Sequence, residues 1–232
     1  MKRMIVFLLA LAVLPVLLVS CGNTPEKYFN VKKIENGLRV SANHDLIERD
    51  KLTTLKIPST FKDFEGLEVI EIGDFDGLAC LETVKIPDTV IEIGKSAFSG
   101  CTGLKKVTIP DSVKVIHGFN GCTGLTEITI PNSVEKINGF GNCTGLTEIT
   151  FPDSVEYIDG FNDCTGLTEI TFLGRDVLFW RAFKDCTGLK MITVPFDYKK
   201  TKVGNNGYDG RNLPTFVEYW ARKGVKVNVS PQ

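Results

Sequence analysis

The sequence predicts a solenoid of short β-strands in which about seven coils stack along one axis. A ten-residue stretch, CTGLTEITIP at Cys122–Pro131, returns in close copies that begin at Cys101, Cys143, Cys164 and Cys186. The steps between successive copies are 21, 21, 21 and 22 residues. A fixed period of this size is typical of units too small to bury their own apolar side, which stacked neighbours then bury. Each copy also spaces its apolar residues as a strand does, and in most copies a proline follows.

The N-terminus has the organisation of a secretory signal peptide. Lys2 and Arg3 precede an uncharged, largely apolar run over residues 4–19, which ends near small residues. A basic region, a short apolar region and a small residue at the cleavage position are what such a leader requires. Because the apolar run is shorter than the ~20 residues of a membrane span, we predict that residues 1–20 are a signal peptide.

The four residues Leu18-Val19-Ser20-Cys21 resemble the lipobox of bacterial lipoproteins. This resemblance implies cleavage before Cys21 and a diacylglyceryl thioether on its sulfur, usually with an acylated amine. Two or more acyl chains anchor a protein to a membrane stably. Residues 21–27 are then expected to form a short lipidated tether. The alternative is an ordinary signal peptide followed by an incidental cysteine.

A hairpin is predicted to cap the front of the solenoid within residues 28–51. The segment Tyr28–Val40 alternates apolar and polar residues around Asn36-Gly37, which is a strong hairpin signal. Solenoids need their apolar ends covered, so this segment is interpreted as an N-terminal cap.

The repeats occupy residues 52–195, and one unit shows how each coil is built. Leu125, Ile128 and Ile130 are expected to point inward, while Glu127 and Thr129 point outward. Every unit delivers its strand in the same direction, which predicts one parallel sheet along one side of the solenoid. A phenylalanine recurs once per unit and predicts a column of stacked rings on the far side of the core. Its members are Phe75, Phe98, Phe119, Phe140, Phe161 and Phe183.

Two segments depart from the repeat. About eight extra residues around Lys62–Glu68 predict a bulging loop. After the last repeat, residues 196–232 are expected to form a C-terminal cap with a loop at Tyr198–Arg211, a helix at Leu213–Arg222 and a final alternating strand. The apolar positions of that strand are Val225, Val227 and Val229.

The unit Ile86–Pro110, with its I-G-x-x-A-F-x-x-C segment at Ile93–Cys101, resembles the BspA-type leucine-rich repeat of bacterial surface proteins. The resemblance covers residues 52–195, although most later units lack two residues of that segment. It implies a leucine-rich-repeat solenoid, mainly β, with a parallel sheet on the concave face. It also implies a non-enzymatic surface protein that attaches to other proteins.

Composition and motifs argue against several classes of function. Without residues 1–20 the chain has 25 basic and 28 acidic residues, a net charge of −3, which is far from the basic field of a nucleic-acid binder. Of the two histidines, His117 occupies a repeat position filled elsewhere by Asn138 and Asp159, so a catalytic role is not expected. We predict no catalytic residue, no metal and no cofactor.

The cysteines after Cys21 are predicted to be core rather than disulfides or metal ligands. Parallel side chains in a column hold their Cβ atoms nearly as far apart as neighbouring strands, whereas a disulfide needs roughly 3.8 Å. A buried thiol also serves as a small apolar filler. The column consists of Cys101, Cys122, Cys143, Cys164 and Cys186.

The outward strand positions are the candidate binding residues. Three glutamates recur at one position and threonines two residues later, which suggests a surface for a protein ligand; recent repeat duplication is the alternative explanation. The candidates are Lys106, Glu127, Thr129, Glu148, Thr150, Glu169 and Thr171.

Together these features predict a monomeric protein of the bacterial cell envelope, lipid-anchored at the outer membrane or cell surface. Its expected partner is a protein of the host extracellular matrix or of a bacterial envelope, and its expected contact with the membrane is through the lipid. A periplasm-facing scaffolding lipoprotein is one alternative. A glycan-binding module is another, although the outward positions lack the aromatic residues on which sugars stack.

Overall fold

The computed structural model describes residues 24–47, 51–174, 177–179, 182–195 and 220–230. Within these ranges the chain forms sixteen short strands and two short 3-10 helices, at Glu26–Tyr28 and Lys62–Phe64. The strands are β1 Phe29–Ile34, β2 Gly37–Ala42, β3 Thr54–Lys56, β4 Val69–Ile72, β5 Thr83–Lys85, β6 Glu92–Ile93, β7 Lys106–Thr108, β8 Val115–Ile116, β9 Glu127–Thr129, β10 Lys136–Ile137, β11 Glu148–Phe151, β12 Tyr157–Ile158, β13 Glu169–Phe172, β14 Leu178–Phe179, β15 Met191–Val194 and β16 Lys226–Val229.

One set of strands comes from the repeated L-x-x-I-x-I run, and we call it the front strands: β3, β5, β7, β9, β11, β13, β15 and, after the repeats, β16. All pairings among them are parallel, as predicted: β3 with β5, β7 with β9, and the four strands β11-β13-β15-β16 in one sheet. Equivalent repeat positions are in register, so that Glu148 pairs with Glu169 and Thr150 with Thr171.

The coils also form a sheet on their opposite side, which we call the back sheet and which the sequence did not predict; the front strands, expected to form one sheet, pair as two two-stranded sheets and one four-stranded sheet. The back sheet has eight strands in the order β1-β2-β4-β6-β8-β10-β12-β14. The antiparallel hairpin β1–β2 lies at its N-terminal edge, and β2 continues into the parallel strands of the coils. Most coil strands here are only two residues long, such as Lys136–Ile137, so they are too short to show a strand periodicity in the sequence.

The core lies between the front strands and the back sheet, and the predicted phenylalanine column runs through it. Phe119, Phe140 and Phe161 are fully buried. Phe140 stacks on Phe119 with ring centroids 5.1 Å apart and on Phe161 at 4.9 Å. Stacked and edge-on ring pairs at such distances stabilise beyond the burial of area alone. The predicted stack of rings is confirmed.

Hydroxyl groups connect successive coils at the turns that follow the front strands β5, β7, β9 and β11. Ser112, Ser133 and Ser154 each donate a hydrogen bond from Oγ to a valine carbonyl of the preceding coil, at 2.7, 2.8 and 2.8 Å. Thr89 makes the equivalent bond at 2.6 Å. A hydroxyl at this position thereby satisfies a carbonyl that the short strands leave unpaired.

The residue before each core cysteine adopts a left-handed backbone conformation. Gly100 and Gly121 have φ of 70° and 71°, while Asn142, Asp163 and Asp185 have φ of 60°, 60° and 59°. Asn and Asp are the side chains that tolerate this conformation best after glycine, which explains the variation of this position among Gly, Asn and Asp.

The folded part of the chain begins closer to the N-terminus than predicted. Residues 24–27 were expected to belong to the tether, but Thr24 is only 3% exposed. Its Oγ1 accepts a hydrogen bond of 2.9 Å from the backbone N–H of Lys56. This bond satisfies a donor on the outer side of β3, where the stack of front strands ends.

The insertion at residues 62–68 packs against the N-terminal hairpin instead of only bulging into solvent. Leu38 of the hairpin donates its N–H to the carbonyl of Glu68 at 2.8 Å. Just before the insertion, the ring of the buried Phe61 meets that of Phe29 edge-on, with centroids 5.6 Å apart. An isolated bridge joins Thr60 to Glu68 and closes the segment.

At the C-terminal end, β16 pairs in parallel with β15. Residues 220–222 are helical. The remainder of the predicted helix and the predicted loop at Tyr198–Arg211 lie outside the described residues, as do the predicted signal peptide and Cys21.

Candidate binding face

Two columns of outward side chains run across the front strands and define what we call the binding face. The first column contains Lys106, Glu127, Glu148 and Glu169, and all four are exposed. They lie side by side because parallel pairing keeps equivalent repeat positions in register, with neighbouring strands about 4.8 Å apart. The second column is the threonine column, and it contains Thr129, Thr150 and Thr171.

The three glutamates of the first column form a ladder of carboxylates, and an ion pair neutralises one of them. The Nζ of Lys106 lies 2.6 Å from Oε1 of Glu127, and both side chains are more than half exposed. Such an exposed pair adds at most about 1 kcal/mol to stability, but it neutralises the N-terminal end of the ladder. Glu148 and Glu169 form no ion pair within the described residues. We call these two residues the acidic pair.

The threonine column offers hydroxyl groups beside these carboxylates. Thr129 and Thr150 are exposed and Thr171 is half-buried. Thr168, which precedes Glu169, instead donates its hydroxyl at 3.0 Å to the carbonyl of Thr147 in the preceding coil. Thr129 and Thr150 therefore present their side chains to solvent.

The strand β16 adds two side chains that the repeat pattern does not contain. Lys226 and Asn228 continue the two columns, since they pair with Met191 and Thr193. Asn228 Nδ2 also contacts Met191 Sδ at 2.8 Å. The alternation of valines in the sequence indicated this strand, but its parallel pairing with β15 is a tertiary contact across more than thirty residues of sequence.

The predicted cysteine column lies in the core, next to the rings. Four of its thiols are fully buried, and Cys186 at the last repeat is half-buried. Each thiol donates a weak hydrogen bond to a phenylalanine carbonyl of the preceding coil, for example Cys122 to Phe98 at 3.1 Å. None of the six cysteines in the described ranges forms a disulfide. Burial raises the pKa of the Cys122 thiol to about 12, which suppresses its nucleophilic form.

Thiol labelling tests this burial. In native protein at pH 8 we expect iodoacetamide to modify the exposed Cys80 and to leave Cys101, Cys122, Cys143 and Cys164 unmodified, because their thiols are buried and the thiolate is the reactive species. In urea all of these positions should react. Mass spectrometry of the digested protein reads each site. Fast native labelling of Cys122 would contradict the packed core, and a Cys80→Ser variant controls for the exposed site.

A polar groove beside the N-terminal hairpin was not indicated by the sequence. It is open to solvent, encloses about 510 Å³ and is lined by residues of β1, β2 and the first coils. His44 Nε2 and Asp76 Oδ1 lie 3.3 Å apart in it. Nearby, Arg39 Nε lies 3.3 Å from Oε1 of Glu71. Burial raises the pKa of Glu71 and the adjacent carboxylate of Glu92 adds to this, while Arg39 opposes it.

The remaining candidates for chemistry stay apart from one another. His117 lies on the back sheet side, and partial burial lowers its pKa despite the opposing carboxylate of Glu92. In the described part of the chain, no three His, Cys, Asp or Glu side chains come together as a metal site would require. No helix found in the described ranges is long and apolar enough to span a membrane.

Three solved structures similar to this chain are bacterial leucine-rich-repeat proteins. The Treponema pallidum leucine-rich-repeat protein is 25% identical with a TM-score of 0.66, and the match covers 90% of this chain and all of that one. A cell-surface leucine-rich protein of Faecalibacterium prausnitzii is 25% identical with a TM-score of 0.53, over 82% of this chain and 57% of that one. A Bacteroides ovatus leucine-rich-repeat protein is 27% identical with a TM-score of 0.50, over 77% and 56%.

The repeat sequence itself gives the family. A model of the BspA type leucine-rich repeat region matches in six copies over residues 43–160 and 116–214. No curated protein matches the chain significantly. With the parallel strands, the repeat period and this match over most of its length, the chain belongs to the BspA-type leucine-rich-repeat family.

Proposed function

We propose that this protein is a lipid-anchored attachment protein of the bacterial cell surface, which binds a protein partner through its binding face. The supporting observation is the acidic pair, Glu148 and Glu169, which is exposed and in register between the Lys106–Glu127 ion pair and Met191. Family membership favours a protein-binding repeat surface. The partner is expected among host extracellular matrix proteins or bacterial envelope proteins.

The acidic pair suits a basic side chain of the partner. Two carboxylates about 5 Å apart in water repel each other by about 0.8 kcal/mol. A lysine or arginine placed between them relieves this repulsion and gains charge-assisted hydrogen bonds, which are stronger than neutral ones. The adjacent hydroxyls of Thr150 and Thr171 can accept or donate further hydrogen bonds.

The size of the face sets the strength of one contact. Eight strands at about 4.8 Å, each presenting some four residues, give a face of roughly 500 Å². A standard protein interface buries about 800 Å² on each partner. A single molecule should therefore bind weakly, and many anchored copies on one cell provide attachment through their effective concentration.

Adhesion of bacteria expressing the full chain tests the acidic pair. We expect the Glu148→Gln/Glu169→Gln double variant to reduce attachment to immobilised fibronectin, laminin or collagen about tenfold, the equivalent of 1.4 kcal/mol. The control is Glu135→Gln/Glu156→Gln, which removes the same charge from two exposed, stacked glutamates of the back sheet side, of which Glu135 is ion-paired to Lys114 at 3.3 Å. Equal attachment by both double variants and the unmodified protein would reject the acidic pair as the site.

Anchoring and orientation are tested separately. Replacing Cys21 with Ser should move the protein from the membrane fraction to the soluble fraction, because the residue that would carry the lipid is gone. Protease added to intact cells should remove the unmodified protein if it faces outward. Protection from protease would instead support a periplasm-facing scaffolding lipoprotein.

A further inference from the structure

The folded body begins close to the predicted lipid attachment site. Thr24 is buried and bonded to the backbone of Lys56 in the first front strand. The next residues are also fixed: Tyr28 donates its N–H to the carbonyl of Pro25 at 3.0 Å. Asn43 donates its side-chain amide to the carbonyl of Lys27 at 3.3 Å and its N–H to the carbonyl of Tyr28 at 2.8 Å.

Only Gly22 and Asn23 separate Cys21 from Thr24 in the sequence. Successive Cα atoms are 3.8 Å apart, so three steps span at most about 11 Å whatever their conformation. The length of this connection therefore places the first coil at the surface of any membrane that holds a lipid on Cys21.

We propose that the N-terminal end of the solenoid rests on the lipid bilayer and that the stack of coils stands away from it. This end surface consists of residues 24–28 and the outer side of β1. The proposal rests on the lipid anchor of the proposed function and goes further, because it assigns a second, non-covalent contact with lipid headgroups and an orientation to the repeats.

The side chains of the end surface suit the headgroup region. Lys27, Lys32 and Lys33 are exposed, and Tyr28 is half-buried. A lysine near an anionic membrane surface contributes about 1 kcal/mol, and a tyrosine ring favours the interface. Since Glu26 and Glu35 offset part of this charge, the end surface binds weakly alone, and the lipid keeps it in place.

The sides of the solenoid suit the headgroup region less well. Residues 35–195 contain 15 basic and 24 acidic residues, whereas residues 24–34 at the end surface contain 3 basic and 1 acidic. An anionic bilayer repels such a surface, which disfavours a solenoid lying flat on the membrane.

This orientation fixes how far the binding face reaches. Glu148 and Glu169 lie on the fifth and sixth front strands, about four and five spacings from β3. At about 4.8 Å per spacing these carboxylates stand roughly 20–25 Å beyond the first coil. A partner must therefore approach the membrane closely.

Energy transfer to labelled lipids tests the orientation with the full lipidated chain. In a Cys80→Ser/Cys186→Ser background, which leaves only buried cysteines among the described residues, Lys32→Cys on β1 and Lys226→Cys on β16 each place one dye, at opposite ends of the solenoid. The protein is reconstituted in phosphatidylcholine vesicles containing phosphatidylglycerol and an acceptor-labelled lipid. We expect transfer from position 32 to exceed that from position 226 at least threefold. Equal transfer would overturn the proposal while leaving the anchor intact.

A second experiment lengthens the connection between Cys21 and Thr24. Inserting twenty Gly/Ser residues between Asn23 and Thr24 gives a flexible chain of about 25 Å, and we expect transfer from position 32 to fall towards that from position 226. Unchanged transfer would show that the short connection does not hold the end in place. Flotation with vesicles distinguishes a wrong orientation from a missing lipid anchor. If the unmodified protein does not float, the lipid anchor is wrong, and both the proposed function and the proposed orientation are rejected.

Discussion

The Phe140→Ala variant should lose about 3–5 kcal/mol of the free energy of unfolding. Phe140 is fully buried between two other rings, with centroid distances of 5.1 and 4.9 Å. Truncation removes its buried area, leaves a cavity and breaks two stacking contacts. Because each coil contacts only its neighbours, a defect in a central coil also lowers the cooperativity with which the two ends unfold together. Urea unfolding followed by circular dichroism measures both the free energy of unfolding and this cooperativity.

The matched control is Phe140→Leu, which keeps an apolar side chain but gives up the ring. Its loss should be clearly smaller than that of Phe140→Ala, since less volume is removed. If the alanine variant unfolded within 1 kcal/mol of the unmodified protein, the ring column would not be a main source of stability.

The Gly145→Ala variant should lose about 2–3 kcal/mol through overpacking. A Cβ atom at this position would come closer than van der Waals contact to the carbonyl oxygen of Thr123 in the preceding coil. The obstacle is backbone and not the end of a flexible side chain, so the coils themselves must separate. The same close approach occurs at Gly103, Gly124, Gly166 and Gly188. Thermal unfolding monitored by calorimetry measures this loss of stability.

Gly66→Ala separates this steric effect from the cost of backbone conformation. Gly66 has φ of 77° and no atom within 4 Å of an added Cβ. Its substitution should therefore cost only the left-handed penalty of about 1–2 kcal/mol. A Gly145→Ala variant as stable as the unmodified protein would contradict the tight spacing of the coils.

The repeat period made most of the fold predictable. Cys122, Leu125 and Ile128 recur at a constant step. Each of these side chains is buried only if it stacks on the equivalent side chains of the neighbouring coils. The parallel direction of the front strands, the stacked rings and the core position of the cysteines follow from that one fact. The Glu127, Glu148 and Glu169 column was predictable for the same reason, since register fixes the outward positions together with the inward ones.

Other features depended on contacts that no local pattern expresses. The back sheet was missed because strands of two residues, such as β10, owe their existence to hydrogen bonds with the coils on either side. The ion pair between Lys106 and Glu127, which leaves Glu148 and Glu169 as the glutamates of that column without an ion pair among the described residues, arises from register between two coils that differ in sequence.

The repeat was enough to predict a solenoid of stacked coils, its resemblance to the BspA-type family and the candidate face, because a short period repeated many times leaves few ways to bury its apolar residues. The closure of the two ends depends on tertiary contacts that the repeat does not encode. Thr24 carries no repeat signal, yet it satisfies a backbone N–H of the first front strand. At each end of an array of stacked units, one edge of the last strand has no neighbouring coil, and residues outside the repeats complete the fold by bonding to it.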